Sequence, residues 1–284
     1  MAGHRAEGMI MTEKIYRLPE RKTIYKQGEG PWKEKPYPDD DHPVKRSGCG
    51  LLSVTHLALE RDKYADVTPL YFYDFMDRYA RAGKGTLRTG ILKGMEEIGL
   101  QYIKHFEGDL LGGNMKDFYR EMKKGDRIGI ILFQNSKRKT GGVTKAKDGT
   151  VWTRSGHYVA ICGMKKVNRL YYLFCKDSSG KHNGWYSYIK SMKGQVCCMW
   201  TGKIPAEKID LPEKGYFEYG DSSPEIIKIQ EFLKKRKYFK GKPKGNFRKL
   251  TKAALIKLEK EFGLEPDGIF GPKCLRLYEE LEGL

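Results

Sequence analysis

The sequence predicts an α+β domain followed by a small three-helix, all-α domain. Three observations carry this. Helical periodicities crowd the stretch after residue 48, apolar strand-like runs crowd residues 128–201, and helical stripes return beyond a segment that holds Pro205, Pro212, Gly215 and Gly220. A chain of 284 residues suits one large domain or two smaller ones. The boundaries read as 1–204 for the first domain, 205–220 for a linker and 221–284 for the second domain.

Residues 1–48 are rich in Pro, Gly, Asp and Lys and read as loop, with one short strand over Lys22–Gln27. A helix is expected from Cys49, because Leu51, Val54 and Ala58 fall at i, i+3, i+7 and Leu52 and Leu59 widen the stripe. Thr68-Pro69 supplies a cap and first-turn proline for a helix running to Ala82. Leu87–Ile98 reads as a third helix stopped by Gly99, and Asn114–Lys124 as a fourth stopped by Gly125. Ile128–Gln134 is a buried strand, followed by a polar loop over 135–156. Tyr158–Cys162, Leu170–Lys176 and Gln195–Thr201 are three further strands, punctuated by Asn168 and Ser178-Ser179-Gly180, so an antiparallel meander follows the helices. Beyond the linker, Ile226, Ile229 and Leu233 stripe one helix, and Leu255, Leu258 and Phe262 a second. Cys274, Leu277, Tyr278 and Leu281 stripe a third that opens at Pro272.

Lys and Arg number 54 against 36 Asp and Glu, a net charge of +18. That excess suits a polyanionic partner: nucleic acid, an acidic membrane surface or an anionic cell wall. Residues 228–249 hold ten of the basic residues and one acid, Glu231, a run that a solvated surface would also explain. The longest apolar run, Ile128 to Phe133, is far short of a membrane span. Residues Met1 to Glu20 lack the apolar core of a secretory signal, which points to synthesis in the cytoplasm.

None of the six cysteines stands in C-x-x-C spacing, so no zinc ribbon is expected. Cys162, Cys175, Cys197 and Cys198 lie in apolar stretches and read as small buried hydrophobes. Cys49 differs. It stands in Ser47-Gly48-Cys49-Gly50 at a helix start, where unpaired N–H groups and the helix dipole favour a thiolate and the glycines leave room for a substrate backbone. A structural cysteine at a helix start would look the same until a base is found. Of the six histidines, His4 lies near the chain start, and His56, seven residues along the same helix, is roughly 10 Å from Cys49. His157, at the mouth of a strand after Gly156, is the better base. If its strand and Leu170–Lys176 form a hairpin, Asp177 lies beside His157 and can fix its tautomer. Asn183 and His182 are rivals for that role, and Asp177 would also suit a turn.

Tyr25-Lys26-Gln27, Trp32, Ser47-Gly48-Cys49-Gly50, Gly156-His157-Tyr158-Val159 and Asp177 together resemble the papain-like cysteine peptidases. The nearest type is the family of bacteriocin-leader-processing peptidases and their free-standing relatives, in order and rough separation across residues 22–201. The resemblance implies a Cys49–His157–Asp177 site with Gln27 helping to form the oxyanion hole. Two positions depart from the family: Leu51 and Ser178 stand where relatives often carry proline.

The second domain resembles the peptidoglycan-binding three-helix domain over about residues 221–284. The motifs are Ile226-x-x-Ile229-Gln230-x-x-Leu233, Phe247-x-x-x-Thr251-x-x-Ala254-Leu255, and Phe262-Gly263-Leu264 followed by Asp267-Gly268-x-x-Gly271-Pro272. Lys244-Gly245 replaces the earlier Asp-Gly turn, and Cys274 a small polar residue. Together the resemblances imply a peptidoglycan hydrolase of phage-endolysin type, a Cys–His–Asp thiol enzyme that cleaves a wall amide. Its catalytic set is Cys49, His157, Asp177 and Gln27, with no metal or cofactor. Its partners would be peptidoglycan and anionic wall polymers, not nucleic acid. It would be a monomer, held in the cytoplasm and released to the wall through a separate membrane lesion or by lysis. Amidase and endopeptidase cleavage both remain open. The alternatives are a cysteine protease acting on proteins or leader peptides, and a non-catalytic basic binding protein using the charge and eighteen tyrosines.

Overall fold

The computed structural model describes residues 12–284, so His4 lies outside the described residues. The chain divides into two compact units, Met1–Ile204 and Pro205–Leu284. In unit 1 the elements are β1 (Glu13–Arg17), α1 (Val44–Ser47), α2 (Cys49–Ala58), α3 (Tyr73–Asp77), β2 (Ala80–Arg81), β3 (Gly85–Thr86), α4 (Arg88–Glu97), β4 (Gln101–Glu107), α5 (Lys116–Met122), β5 (Arg127–Gln134), β6 (Gly156–Val167), β7 (Leu170–Lys176), β8 (Gly184–Ser187) and β9 (Val196–Lys203). The main sheet is antiparallel, in the order β4-β9-β5-β6-β7-β8. Strand β6 is twelve residues long: β5 pairs with its first half, and β1 takes over the same edge from Met164.

Two hydrophobic cores sandwich the sheet, as the alternation of its strands requires. Leu51, Leu52 and Val54 of α2 pack with Ile130, Leu132, Tyr158, Ala160, Cys198 and Trp200 on one side. Phe118 and Met122 of α5 join Ile131, Phe133, Val159, Ile161 and Met199 on the other. Helix α2 has almost no solvent face: every residue from Gly50 to Ala58 is buried. An internal charge network lies under this core. Lys176 Nζ is 2.7 Å from Glu60 Oε1, both side chains are wholly buried, and the other Glu60 oxygen accepts from Glu20 N at 2.7 Å and Arg17 Nη2 at 3.4 Å.

Several elements differ from expectation. Residues 22–27 form no strand, because their backbone bonds leave the ladder pattern: Tyr25 N donates to His56 Nε2 at 2.9 Å and Gln27 N to Ser178 O at 3.0 Å. The expected helix over 68–82 is broken into a 3₁₀ turn at Pro69–Phe72, the short α3, and the β2–β3 hairpin. Strand β4 is a polar edge strand with only two half-buried side chains, so it carries little alternation to read.

Unit 2 holds α6 (Pro224–Lys235), α7 (Lys249–Glu261) and α8 (Pro272–Glu282). Ser223 caps α6 by accepting from Glu225 N at 3.1 Å, ahead of the first-turn Pro224. Residues 205–220, expected as a free linker, instead pack on the helices. Ile209 and Phe217 are core residues, Phe217 bridges to Phe270, and the Tyr278 hydroxyl donates to Glu207 O. The apolar spacing of this segment is too irregular to announce a packed strap. Two equivalent turns are held by buried side chains. Gln230 Oε1 accepts from Lys244 N at 2.8 Å and Gly245 N at 3.2 Å, and Glu259 Oε2 accepts from Gly268 N at 3.0 Å. Both glycines have positive φ, +73° and +69°, which disfavours other residues there.

Candidate active site

Cys49 is the first residue of α2. Gly48 leaves the helical path between α1 and α2, and a Cβ on it would strike Val44. Gly50 is equally constrained, since its Cβ would come within 2.3 Å of Thr86 Oγ1. The glycines flanking Cys49 therefore permit close packing of its segment on the surrounding scaffold.

His157 stands near the start of β6, and Asp177 follows the last residue of β7. The register Ala160↔Lys176 sets the two side by side, with His157 Nε2 2.6 Å from Asp177 Oδ1. Nε2 is thus engaged, and Nδ1 is the ring nitrogen left for the hydrogen bond with Cys49. Asp177 is wholly buried. Its oxygens also accept from Ser179 N at 2.8 Å, the Ser179 hydroxyl, and His182 N at 3.0 Å. Asn183 Oδ1 accepts from Asp177 N at 2.7 Å. The two rivals for the orienting role thus serve Asp177 and leave His157 to it. The His182 ring itself bonds the Val151 carbonyl and packs on Trp152.

The electrostatics follow from these contacts. Burial pushes the Cys49 thiol up, but the hydrogen bond and charge of His157, with the N–H groups of Tyr158 and Gly50, outweigh it and hold the thiol below its ordinary value. Burial alone would lower His157. Its bonds to Asp177 and Cys49 reverse this and raise it to about 10. Burial opposes ionisation of Asp177 too, yet His157 and the Ser179 donors hold it well below the usual carboxylate range. All three shifts favour one state, thiolate–imidazolium–carboxylate. His56 shows the opposite fate of a buried imidazole: desolvation, with Lys176 nearby, drives it down to about 3, so it is no base.

Gln27 lies between the two arms of this arrangement. Its Nε2 donates to Lys45 O at 2.9 Å, four residues before Cys49, and its Oε1 accepts from the Ser178 hydroxyl at 3.0 Å. One N–H of its amide remains available. Trp32 backs this segment by donating Nε1 to Lys26 O at 3.0 Å. Ser178 and Ser179 had no signal in the sequence beyond their place in a turn, yet their hydroxyls fix Gln27 and Asp177. The other five cysteines are buried. Among the described residues no group of His, Cys, Asp or Glu could hold a metal ion, and no helix is long and apolar enough to cross a membrane.

Comparison with known proteins bears on unit 2. No curated protein matches the chain. Residues 222–277 match the family described as "Putative peptidoglycan binding domain", a match that spans α6, α7 and the first half of α8 and leaves unit 1 unassigned. The carboxy-terminal unit is a peptidoglycan-binding domain.

Proposed function

We propose that the chain is a peptidoglycan hydrolase, in which a Cys49–His157–Asp177 thiol site cleaves an amide bond of the wall peptide while the second unit holds the enzyme on its polymer. The carrying observation is the His157–Asp177 pair at 2.6 Å, bonded on its other side to a helix-start cysteine, in one chain with a peptidoglycan-binding domain. Tethering to an insoluble substrate raises the local concentration of scissile bonds.

The Cys49 sulfur attacks the amide carbonyl, forming the C–S bond and placing negative charge on the oxygen. The free Gln27 N–H and the helix-start N–H of Cys49 stabilise that oxyanion. His157 passes its proton to the leaving nitrogen as the C–N bond breaks, then takes a proton from water. The resulting hydroxide displaces Cys49 from the thioester and releases the acid. Asp177 keeps the imidazole oriented throughout and stabilises it whenever it carries the proton.

Seven of the ten basic residues in 228–249 have no acidic partner among the described residues; Lys228, Lys235 and Arg236 do. They give unit 2 an exposed cationic stretch suited to anionic wall polymers. Release from the cytoplasm through a separate lesion, as for a phage endolysin, belongs to the same proposal. Digestion of purified cell walls by wild type and Cys49→Ala, with mass spectrometry of the soluble products, tests the reading. Stem peptides freed from glycan mean an amidase, and cut cross-links with stems attached mean an endopeptidase. Wild-type inactivity across several wall chemotypes would transfer the site to protein or leader-peptide substrates.

A further inference from the structure

The α2 side of the sheet carries a strip that the cysteine relay does not use. Its wall begins beside the nucleophile. A Cβ on Gly85 would lie 2.9 Å from Ser47 O, and Thr86 fills the space beside Gly50. Two residues on, Arg88 opens α4. It is exposed, and its Nη2 lies 3.1 Å from Cys197 Sγ. The β5–β9 register breaks at this point, with Leu132↔Cys198 but Phe133↔Val196, so Cys197 is an extra residue and packs on the same side as Cys198. Across β5, Leu132 also pairs with Tyr158. Arg88, the adjacent cysteines and Tyr158 thus form one strip leading away from Cys49. Trp200 and His105, 5.0 Å apart, flank it.

Neither donor on this strip has an oxygen acceptor: Arg88 donates to the Cys197 sulfur, and the Tyr158 hydroxyl to no described residue. Arg88 has no carboxylate within ion-pairing distance among the described residues. Glu107, opposite Cys198, acts on Cys197 at longer range but makes no ion pair with Arg88. Tyr158 is only 5% exposed, yet its hydroxyl makes no hydrogen bond with any described residue, although it sits among Cys49, Cys198, Arg88 and Cys197. The ring is buried while the hydroxyl oxygen still reaches solvent, so the O–H is open to a ligand. A guanidinium fork with one arm on a cysteine sulfur and its other N–H groups free of any carboxylate, beside an unpaired O–H, is a donor set suited to a planar carboxylate.

We propose that Arg88 and the Tyr158 hydroxyl form a carboxylate-binding subsite beside Cys49, so that the preferred substrate carries a free carboxylate next to the scissile amide. The substrate assignment rests on the hydrolase reading. It makes the ligand an acidic side chain or free α-carboxyl group of the wall peptide. The amidated form would instead present its own N–H groups to Arg88 and be disfavoured.

Cys49 is half-buried and the other five cysteines are buried, so thiol-reactive probes report on its surroundings without any turnover. The measurement is the rate of Cys49 modification by two maleimides of equal length, one ending in a carboxylate and one in a carboxamide. Each rate is divided by that of a free thiol. The subsite predicts that wild type favours the carboxylate probe by about tenfold, the size of one charge-assisted hydrogen bond. Arg88→Met should bring the ratio to one, Arg88→Lys should keep part of it, and Tyr158→Phe should lower it a few-fold. No preference in wild type, or a preference that survives Arg88→Met, overturns the proposal. Paired acid and amide stem peptides should show the same ratio in kcat/KM. If neither peptide is cleaved while the probe ratio still responds to Arg88, the hydrolase reading falls and the subsite stands.

Discussion

Cys49 and Cys274 both stand in the first turn of a helix, one in each unit, and their thiols are driven in opposite directions. Burial opposes the thiolate at both positions, and each helix offers the same favourable N-terminal dipole, worth about 0.3–1 kcal/mol. The partners differ. Cys49 faces His157, whose proton is held in place by Asp177. Cys274 Sγ lies 3.5 Å from Glu259 Oε1, and burial together with that carboxylate pushes its thiol up to about 12. Glu259 is itself above its ordinary value, because burial outweighs the Gly268 N–H it accepts. The pair in unit 2 is a thiol donor and a carboxyl acceptor that pin the Asp267-Gly268 turn. The charge of the neighbour, more than the helix terminus, decides which cysteine favours its thiolate.

The largest test of this contrast is the pair of single variants. Cys49→Ala should abolish amide cleavage, a loss of 10³-fold or more on the scale of about 10⁶ set by a lost nucleophile. Cys274→Ser should leave cleavage unchanged, and any loss above about twofold there would break the comparison. Next comes the floor beneath the site. Lys176→Met leaves the Glu60 side chain buried without its lysine, with Arg17 and the Glu20 N–H still beside it. Breaking a buried pair in this way costs about 3–5 kcal/mol, read as a lowered denaturation midpoint for unit 1. Gln27→Ala should lower kcat by about 10²-fold, as expected for one oxyanion donor, without moving the pH at which Cys49 becomes reactive. A shifted pH profile in that variant would make Gln27 a support of the relay and not a donor to substrate.

Much of this was legible in the sequence, for stated reasons. The helix starting at Cys49 and the strand Leu170–Lys176 have apolar patterns set by a continuous core, so pattern and structure agree to within a residue. The juxtaposition of His157 and Asp177 follows from a single hairpin, the least ambiguous long-range contact that a chain can form. Strand β1 and the edge strand β4 were not legible, because their side chains are mostly exposed and only backbone bonding defines them. The hydroxyls of Ser178 and Ser179 were equally silent, since a turn accounts for both residues. Arg88 gave no signal because its neighbours come from β6 and β9, about 70 and 110 residues away along the chain. The packing of residues 205–220 was missed because isolated apolar residues between prolines look like a linker until a surface takes them up.

The smallest effect is the most diagnostic one for the comparison. Alkylation of Cys49 by iodoacetamide, followed against pH, should reach half its plateau below the ordinary thiol value of about 8.5 in wild type. His157→Ala removes the cation and leaves burial opposed only by the Tyr158 and Gly50 N–H groups, so the midpoint should rise relative to wild type; each unit of movement corresponds to about 1.4 kcal/mol of lost thiolate stabilisation. Asp177→Asn keeps the hydrogen-bonding shape but withdraws the charge that favours the imidazolium, so its midpoint should fall between the two. Stability carries a matching sign. A carboxylate held below its unfolded value contributes stability that is present above about pH 4 and is lost as pH falls through the folded value. The Asn variant should therefore be less stable than wild type at neutral pH and draw level with it in acid. If all three proteins titrated together, the thiolate would owe its stability to the helix start alone. Cys49 and Cys274 would then differ by exposure, not by the company they keep.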